Sequence, residues 1–105
     1  MRVLLNVPKT ARRGEAIEIK ILISHAMESG QRHDESGQLV PRMIIHDFRC
    51  TYNEAEVLHL KLFPAIAANP YLNFAARAER SGTLVFTWAD DSGATQTETA
   101  VIEVE

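Results

Sequence analysis

Residues 16–23 read AIEIKILI, and this stretch decides the fold class. Every second residue is an isoleucine, while Glu18, Lys20 and Leu22 lie between the isoleucines. Because successive side chains of a β-strand point to opposite faces, a period of two predicts a strand with one buried face and one exposed face. Leu22 falls on the exposed face, where it would mark a contact patch if other apolar side chains lay beside it.

The rest of the chain consists of similar short segments separated by turn residues. Alternating apolar patterns occupy residues 2–7, 43–52, 56–63, 71–78, 83–88 and 94–105. Within 43–52, Ile45 shares a face with Phe48 only if a β-bulge shifts the register, so we predict a bulge or bend in this segment. About seven short strands with frequent turns are typical of an immunoglobulin-like or fibronectin-like antiparallel β-sandwich. We therefore predict an all-β sandwich formed by one domain, residues 1–105, with room for one helical turn within 63–71.

Composition and charge exclude several classes of protein. A chain of 105 residues with 46% hydrophobic residues is sized for a single domain with a real core. Its net charge of −3, with acids and bases interspersed, argues against nucleic-acid binding, which needs a basic face. No run approaches the roughly 20 apolar residues of a membrane helix, and residues 3–5 are too short a run for a secretory signal. We expect no nucleic-acid partner, no membrane segment and no export signal in this sequence.

The chain carries the residue types of a blue-copper site but not their spacing. Such a site needs histidine, cysteine and methionine ligands that converge at one end of the sandwich, whereas no histidine follows His59. No nucleophile elbow and no Cys–His pair with an orienting acid is visible. The acid pairs at 34–35 and 90–91 lie in turns, where capping and solubility explain them. The sequence predicts no catalytic residue, no cofactor and no metal site. We therefore expect that the chain is not an enzyme.

The lone cysteine, Cys50, excludes an internal disulfide. It shares its strand face with Phe48 and Tyr52, and free cysteines are often buried as small apolar residues. We therefore interpret Cys50 as part of the core rather than as a carrier or redox thiol.

Residues 24–41, SHAMESGQRHDESGQLVP, form a long polar connection between two apolar strands. Connections of this length in a compact domain are usually functional or disordered. Its interior, HDESG at 33–37, predicts the tip of a hairpin that extends the flanking strands.

This loop resembles the corresponding segment of SoxZ proteins, which reads Ser-His-Pro-Met-Glu-Thr-Gly, then a basic residue, an acidic glycine-containing turn and Ile-Pro or Val-Pro. NPYLNF at 69–74 resembles the family's Asn-Pro-aromatic-Leu-x-Phe, and TLVFTWADDSG at 83–93 resembles its closing Trp-x-Asp-x-x-Gly hairpin. The similarity covers nearly the whole chain. Ala26 stands where the family usually has proline, so the bend after His25 is less rigidly fixed.

The resemblance implies a subunit of the bacterial Sox pathway of thiosulfate oxidation. In that family SoxZ is non-catalytic and pairs with SoxY, as a heterodimer or higher assembly, and meets the other Sox enzymes through this complex. SoxY carries the sulfur intermediates on a cysteine of its glycine-rich C-terminal arm. The ending AVIEVE at 100–105 has no such arm, in agreement with the SoxZ role. The family location is the periplasm, reached by export together with a signal-bearing SoxY.

We predict a partner interface formed by the family-matching loop positions and by residues on the neighbouring strands. The predicted contacts are Leu22, Ser24, His25, Met27, Glu28, Arg32, Asn69 and Tyr71. In the alternative interpretation, Met27 is a lid on the core, Glu28 and Arg32 only solvate the turn, and the Tyr71 ring covers the end of the sandwich.

Two other function classes stay open at this point. One is a ligand-binding or adhesive sandwich module, which would show a groove lined with aromatic residues. The other is a copper-binding sandwich, which would show ligand atoms converging around His25, Met27 and His46. Self-association of the chain expressed without its partner also stays open, because an empty interface can pair with itself.

Overall fold

The computed structural model describes residues 2–66 and 68–105, and within them the chain forms eight β-strands and no helix. The strands are β1 (Val3–Asn6), β2 (Thr10–Ala11), β3 (Ala16–Ile23), β4 (Ile45–Tyr52), β5 (Ala55–Lys61), β6 (Tyr71–Arg77), β7 (Gly82–Asp90) and β8 (Thr95–Val104). A three-stranded sheet has the order β1-β3-β6, and a five-stranded sheet has the order β2-β8-β7-β4-β5. The predicted all-β sandwich is confirmed.

The strand that the sequence pattern missed is β2, which has two residues and pairs in parallel with the end of β8. Two residues are too few to show any alternation, so periodicity carries no signal for this strand. The helical turn considered for residues 63–71 includes Ala67, which lies outside the described residues. No helix among the described residues is long and apolar enough to cross a membrane.

The two sheets enclose an apolar core whose centre is aromatic. The isoleucines of β3 face inward and are all buried, as their spacing predicts. The ring centroid of Phe48 lies 6.4 Å from that of Phe74 on the opposite sheet, and equally far from Phe86 and Trp88 on β7. Trp88 is the only tryptophan and is 2% exposed, so its fluorescence reports directly on the packing of the core.

The predicted β-bulge in β4 is present. Ile45 pairs with Asp90 and Asp47 pairs with Ala89, so His46 is an extra residue in β4. The bulge shifts the alternation by one position, and Ile45 therefore points into the same core as Phe48.

Residues 28–43 form an antiparallel arm, here called the long hairpin. Two isolated β-bridges join the two sides of the arm: Glu28 with Met43, and His33 with Leu39. At its tip the Asp34 carboxylate accepts hydrogen bonds from the backbone N–H groups of Ser36 and Gln38, each at 2.9 Å. The predicted hairpin tip is confirmed. The molecule measures 58 × 19 × 19 Å, which is elongated for its size.

Candidate partner interface

The outer face of the three-stranded sheet carries a row of apolar side chains. Leu22 in β3 pairs with Leu4 in β1 on one side and with Tyr71 in β6 on the other. Directly paired residues of adjacent strands lie on the same face, so the three side chains form a continuous line across the sheet. Leu4 is 55% exposed and Tyr71 is 54% exposed. We call these three residues the apolar row.

Shallow depressions flank the apolar row, and they include further predicted contacts. Ser24 and Asn69 line one depression of about 280 Å³ together with Leu4 and Leu22. Lys20 lines another of about 390 Å³ with Leu4, Leu22 and Tyr71. The Lys20 ammonium lies 3.1 Å from the Glu18 carboxylate, and this partner raises the pKa of Lys20. Four of the predicted contacts, Leu22, Ser24, Asn69 and Tyr71, therefore lie on one surface.

Asn69 fixes the edge of this surface. Its backbone N–H donates to the His25 carbonyl at 2.7 Å, and its side-chain Oδ1 accepts from the His25 backbone N–H at 3.0 Å. Asn69 has a positive φ of 55°, a conformation that asparagine tolerates better than most residues. The residue thus makes the turn into β6 and holds the start of the loop against it. Tyr71 lies on the open face of the sheet, not over the end of the sandwich.

His25 and Met27 support the surface from beneath instead of forming it. The His25 side chain is 7% exposed, its Nδ1 accepts the Met27 backbone N–H at 2.9 Å, and its Nε2 lies 3.6 Å from Asp90 Oδ2. Met27 is 5% exposed within the core, and its sulfur accepts the Ile45 backbone N–H at 3.3 Å. Met27 is therefore the lid on the core that the alternative interpretation describes.

Glu28 and Arg32 form an ion pair on the long hairpin. The Arg32 Nη2 atom lies 2.8 Å from Glu28 Oε1, and Arg32 Nε also donates to the same carboxylate. This guanidinium partner lowers the pKa of Glu28. The pair lies at an exposed position on the hairpin, where it remains accessible to a partner.

Asp91 anchors the root of the long hairpin, and sequence reasoning missed this role. Arg42 donates to its carboxylate through Nε at 2.8 Å and through Nη2 at 2.9 Å. The Ile44 backbone N–H donates to the same carboxylate at 3.1 Å. These donors, Arg42 foremost, lower the pKa of Asp91 to about 2. His46 Nδ1 lies 3.2 Å from Asp91 Oδ1, but the contact lacks hydrogen-bond geometry. Neighbouring Asp90 does cap its turn, as predicted, by accepting the Ser92 N–H at 2.9 Å.

The side chains considered as copper ligands are engaged elsewhere. Met27 sulfur and His25 Nδ1 each accept a backbone N–H, while Cys50 is fully buried in the core. Burial raises the pKa of the Cys50 thiol to about 12. Within residues 2–66 and 68–105, no three His, Cys, Asp or Glu side chains are grouped so that they could hold a metal ion. Cys50 is thus a core residue, as its place in the alternation predicts.

Comparison with known families identifies the chain. The model of the sulphur oxidation protein SoxZ matches residues 5–101, which is nearly the whole sequence. The chain belongs to the SoxZ family. It is therefore a Sox sulfur-oxidation carrier subunit, in agreement with the resemblance of its three motifs. No curated protein matches the sequence.

Two solved structures illustrate how widely the SoxZ fold is shared. A superoxide reductase (neelaredoxin) from Ignicoccus hospitalis superposes with a TM-score of 0.74 at 12% identity, covering 100% of this chain and 81% of that chain. The sulfur carrier protein SoxY from Chlorobium limicola f thiosulfatophilum superposes with a TM-score of 0.69 at 11% identity, covering 98% of this chain and 78% of that chain. At these identities the likeness establishes the sandwich fold alone.

Proposed function

We propose that the chain is the non-catalytic partner of SoxY in a thiosulfate-oxidising carrier complex, and that the apolar row contacts SoxY. The observation that supports this most strongly is the row itself. Leu4, Leu22 and Tyr71 form a continuous apolar line on an open sheet face, with two of them more than half exposed. Aromatic and apolar anchors surrounded by polar groups are the usual centre of a protein–protein interface.

The contact surface extends beyond the row. A stable complex buries about 800 Å² on each partner, which is more than three side chains supply. Ser24 and Asn69 continue the surface at one end of the row. Glu28 and Arg32 offer charged groups on the adjacent long hairpin and form the polar rim in this proposal. His25 and Met27 act indirectly, because they hold this region in place from below.

The sulfur-carrying thiol belongs to SoxY in this proposal. Cys50 is fully buried and its pKa is raised to about 12, so the reactive thiolate is scarce at neutral pH. The chain therefore supplies a docking surface, not the carrier group, and it meets the other Sox enzymes through the complex.

Co-purification with SoxY from the same genome tests the pairing. We expect a stoichiometric complex that Leu4→Asp and Tyr71→Asp each weaken at least tenfold, as expected for hot-spot positions. Val101→Asp is the matched control, because Val101 is 69% exposed on β8 of the other sheet. Trp88 fluorescence and thermal melting verify that each variant is folded. Absence of a complex between folded wild-type chains would disprove the pairing, and equal weakening by all three variants would disprove the location.

We further propose that the chain reaches the periplasm together with a signal-bearing SoxY. The expected result is recovery of the chain in the periplasmic fraction only when SoxY with its signal is co-expressed. Periplasmic recovery that does not depend on SoxY would contradict this route.

A further inference from the structure

A second surface, distinct from the apolar row, opens where the edges of the two sheets meet. A groove of about 420 Å³ lies between β5, at the edge of the five-stranded sheet, and β6, at the edge of the three-stranded sheet. We call it the lateral groove. The residues that matter for its chemistry are Ala55, Val57, Ala75, Ala76, Arg77 and Arg80.

The backbone along the lateral groove has unused hydrogen-bonding capacity. β5 pairs only with β4, and β6 pairs only with β3, so each strand has one open edge within the described structure. β5 is seven residues long, which is enough to template another strand. The small side chains of Ala55, Ala75 and Ala76 leave room for a peptide backbone to approach.

Val57 adds an apolar contact because of a β-bulge. Cys50 pairs with Leu58 while Thr51 pairs with Glu56, so Val57 is the extra residue on the β5 side. Val57 has no partner across the ladder, is 42% exposed and lines the groove. Bulges at sheet edges commonly re-aim a side chain next to a functional site.

The charged rim of the groove fits an anionic group. Its lining contains two arginines and one glutamate, although the whole chain has a net charge of −3. Within the described residues neither Arg77 nor Arg80 forms an ion pair. The Arg77 Nη1 atom donates to the Gly14 carbonyl, and the Tyr52 hydroxyl donates to the Arg80 carbonyl. These bonds fix the position of both residues while guanidinium N–H groups stay free for a carboxylate.

We propose that the lateral groove binds an extended, acidic peptide segment of a partner protein, which adds a strand to the open edge of β5. Main-chain hydrogen bonds to β5 hold the segment, an apolar side chain contacts Val57, and a carboxylate binds Arg77 and Arg80. The site shares no residue with the proposed SoxY contact: the groove is lined on β6 by Ala75, Ala76 and Arg77, whereas the apolar row includes Tyr71 at the opposite end of that strand.

Peptide binding by the full chain tests this proposal. The probe is a fluorescein-labelled peptide of alternating valine and glutamate with both ends blocked, and the matched peptide has lysine in place of glutamate. We expect saturable binding of the acidic peptide only, weaker at high salt, with amide NMR shifts centred on residues 55–61. Binding of neither peptide, or equal binding of both, would overturn the proposal.

Two charge-reversal variants distinguish peptide binding in the lateral groove from a general effect of net charge on binding. We expect Arg80→Glu to weaken peptide binding about tenfold, as expected for the loss of a charge-assisted contact. No hydrogen bond from the Arg80 side chain supports the fold within the described residues, so this variant is expected to stay folded. Lys9→Glu makes the same change in net charge at an exposed site outside the groove and should leave binding unchanged. Equal weakening by both variants would overturn the proposed site. Leu4→Asp should retain peptide binding whether or not it disrupts pairing with SoxY.

Discussion

Cys50 shows how burial decides the chemistry of a single residue. It lies between the core positions of Phe48 and Tyr52, is 0% exposed, and burial raises the pKa of its thiol to about 12. Thiol reagents need both a thiolate and physical access to the sulfur. In the folded chain both are therefore missing at Cys50.

We predict that Ellman's reagent does not label Cys50 in the folded chain at mildly alkaline pH and labels it promptly after denaturation. Cys50→Ala should leave complex formation with SoxY intact and lower the free energy of unfolding by about 1–2 kcal/mol, because it leaves a small cavity. The checks are the absorbance of the released thiolate and denaturant titration followed by Trp88 fluorescence. Labelling of the native chain at the rate of a free thiol would contradict this assignment.

The alternation within a strand correctly predicted the face on which several side chains lie, because it depends only on the pleat of that strand. It placed Leu22 on the outer face, and the register then showed Leu4 and Tyr71 beside it. Which residues meet across the sheet depends on strand order, which the alternation within one segment does not contain. Arg42 and Asp91 illustrate this, since they are 49 positions apart and no local pattern relates them.

At the scale of elements, the two carboxylates of the β7–β8 turn have different roles. Asp90 closes its own turn through Ser92, as a turn aspartate is expected to do. Asp91 joins the turn to the long hairpin through Arg42 and the Ile44 backbone N–H. A contact between two elements that are distant in the sequence thus holds the base of the loop in place, next to the proposed partner surface.

We predict that Asp91→Asn lowers the free energy of unfolding by about 1–2 kcal/mol at neutral pH, because charge-assisted hydrogen bonds to Arg42 and to a backbone N–H are weakened. Arg42 is half exposed, so solvent screens part of the effect. Folding lowers the pKa of Asp91 from 3.8 to about 2. The stabilisation is therefore complete above the unfolded-state pKa and disappears as the pH falls through about 2.

Denaturant titrations of the wild type and Asp91→Asn over this pH range check the prediction. The difference in the free energy of unfolding between the two proteins should be largest near neutral pH and should shrink as the solution becomes acidic. Glu103→Gln neutralises an exposed carboxylate on β8 and is the matched control. It should change the free energy of unfolding little. A difference that grows toward acid pH would contradict the assigned role of the carboxylate.

The β-bulge at His46 is an element-scale feature that the sequence did reveal. By simple alternation Ile44 shares a face with Phe48 and Ile45 does not, so the pattern favoured a bulge or bend in this segment. The bulge at Val57 left no such signal, because the residues around it are exposed and their pattern is equally compatible with a regular edge strand.

At the scale of the whole molecule, the long hairpin explains the elongated shape. A compact domain of this size has a radius of gyration of about 13 Å, whereas the Cα radius of gyration here is 16.1 Å. The longest strand, β8, has ten residues, and a strand of that length spans about 33 Å. The longest dimension is 58 Å, so much of the length lies beyond the strands of the sandwich. An antiparallel arm of the size of residues 28–43 spans roughly 20 Å.

We predict that replacing residues 31–41 with Asn-Gly shortens the molecule without unfolding it. A Cβ built on Gly30 would lie 3.0 Å from the Arg42 Cβ, so the two residues face each other closely enough for a two-residue turn to join them. Nearly all of the replaced residues are exposed, and the anchors Met27 and Arg42 remain in place. We therefore expect Trp88 fluorescence of the native state to be unchanged and the melting temperature to shift by only a few degrees. Small-angle X-ray scattering at low protein concentration should show the radius of gyration falling toward the compact value. An unchanged radius would place the extra length elsewhere in the molecule, and loss of folding would mean that the tip of the hairpin stabilises the sandwich.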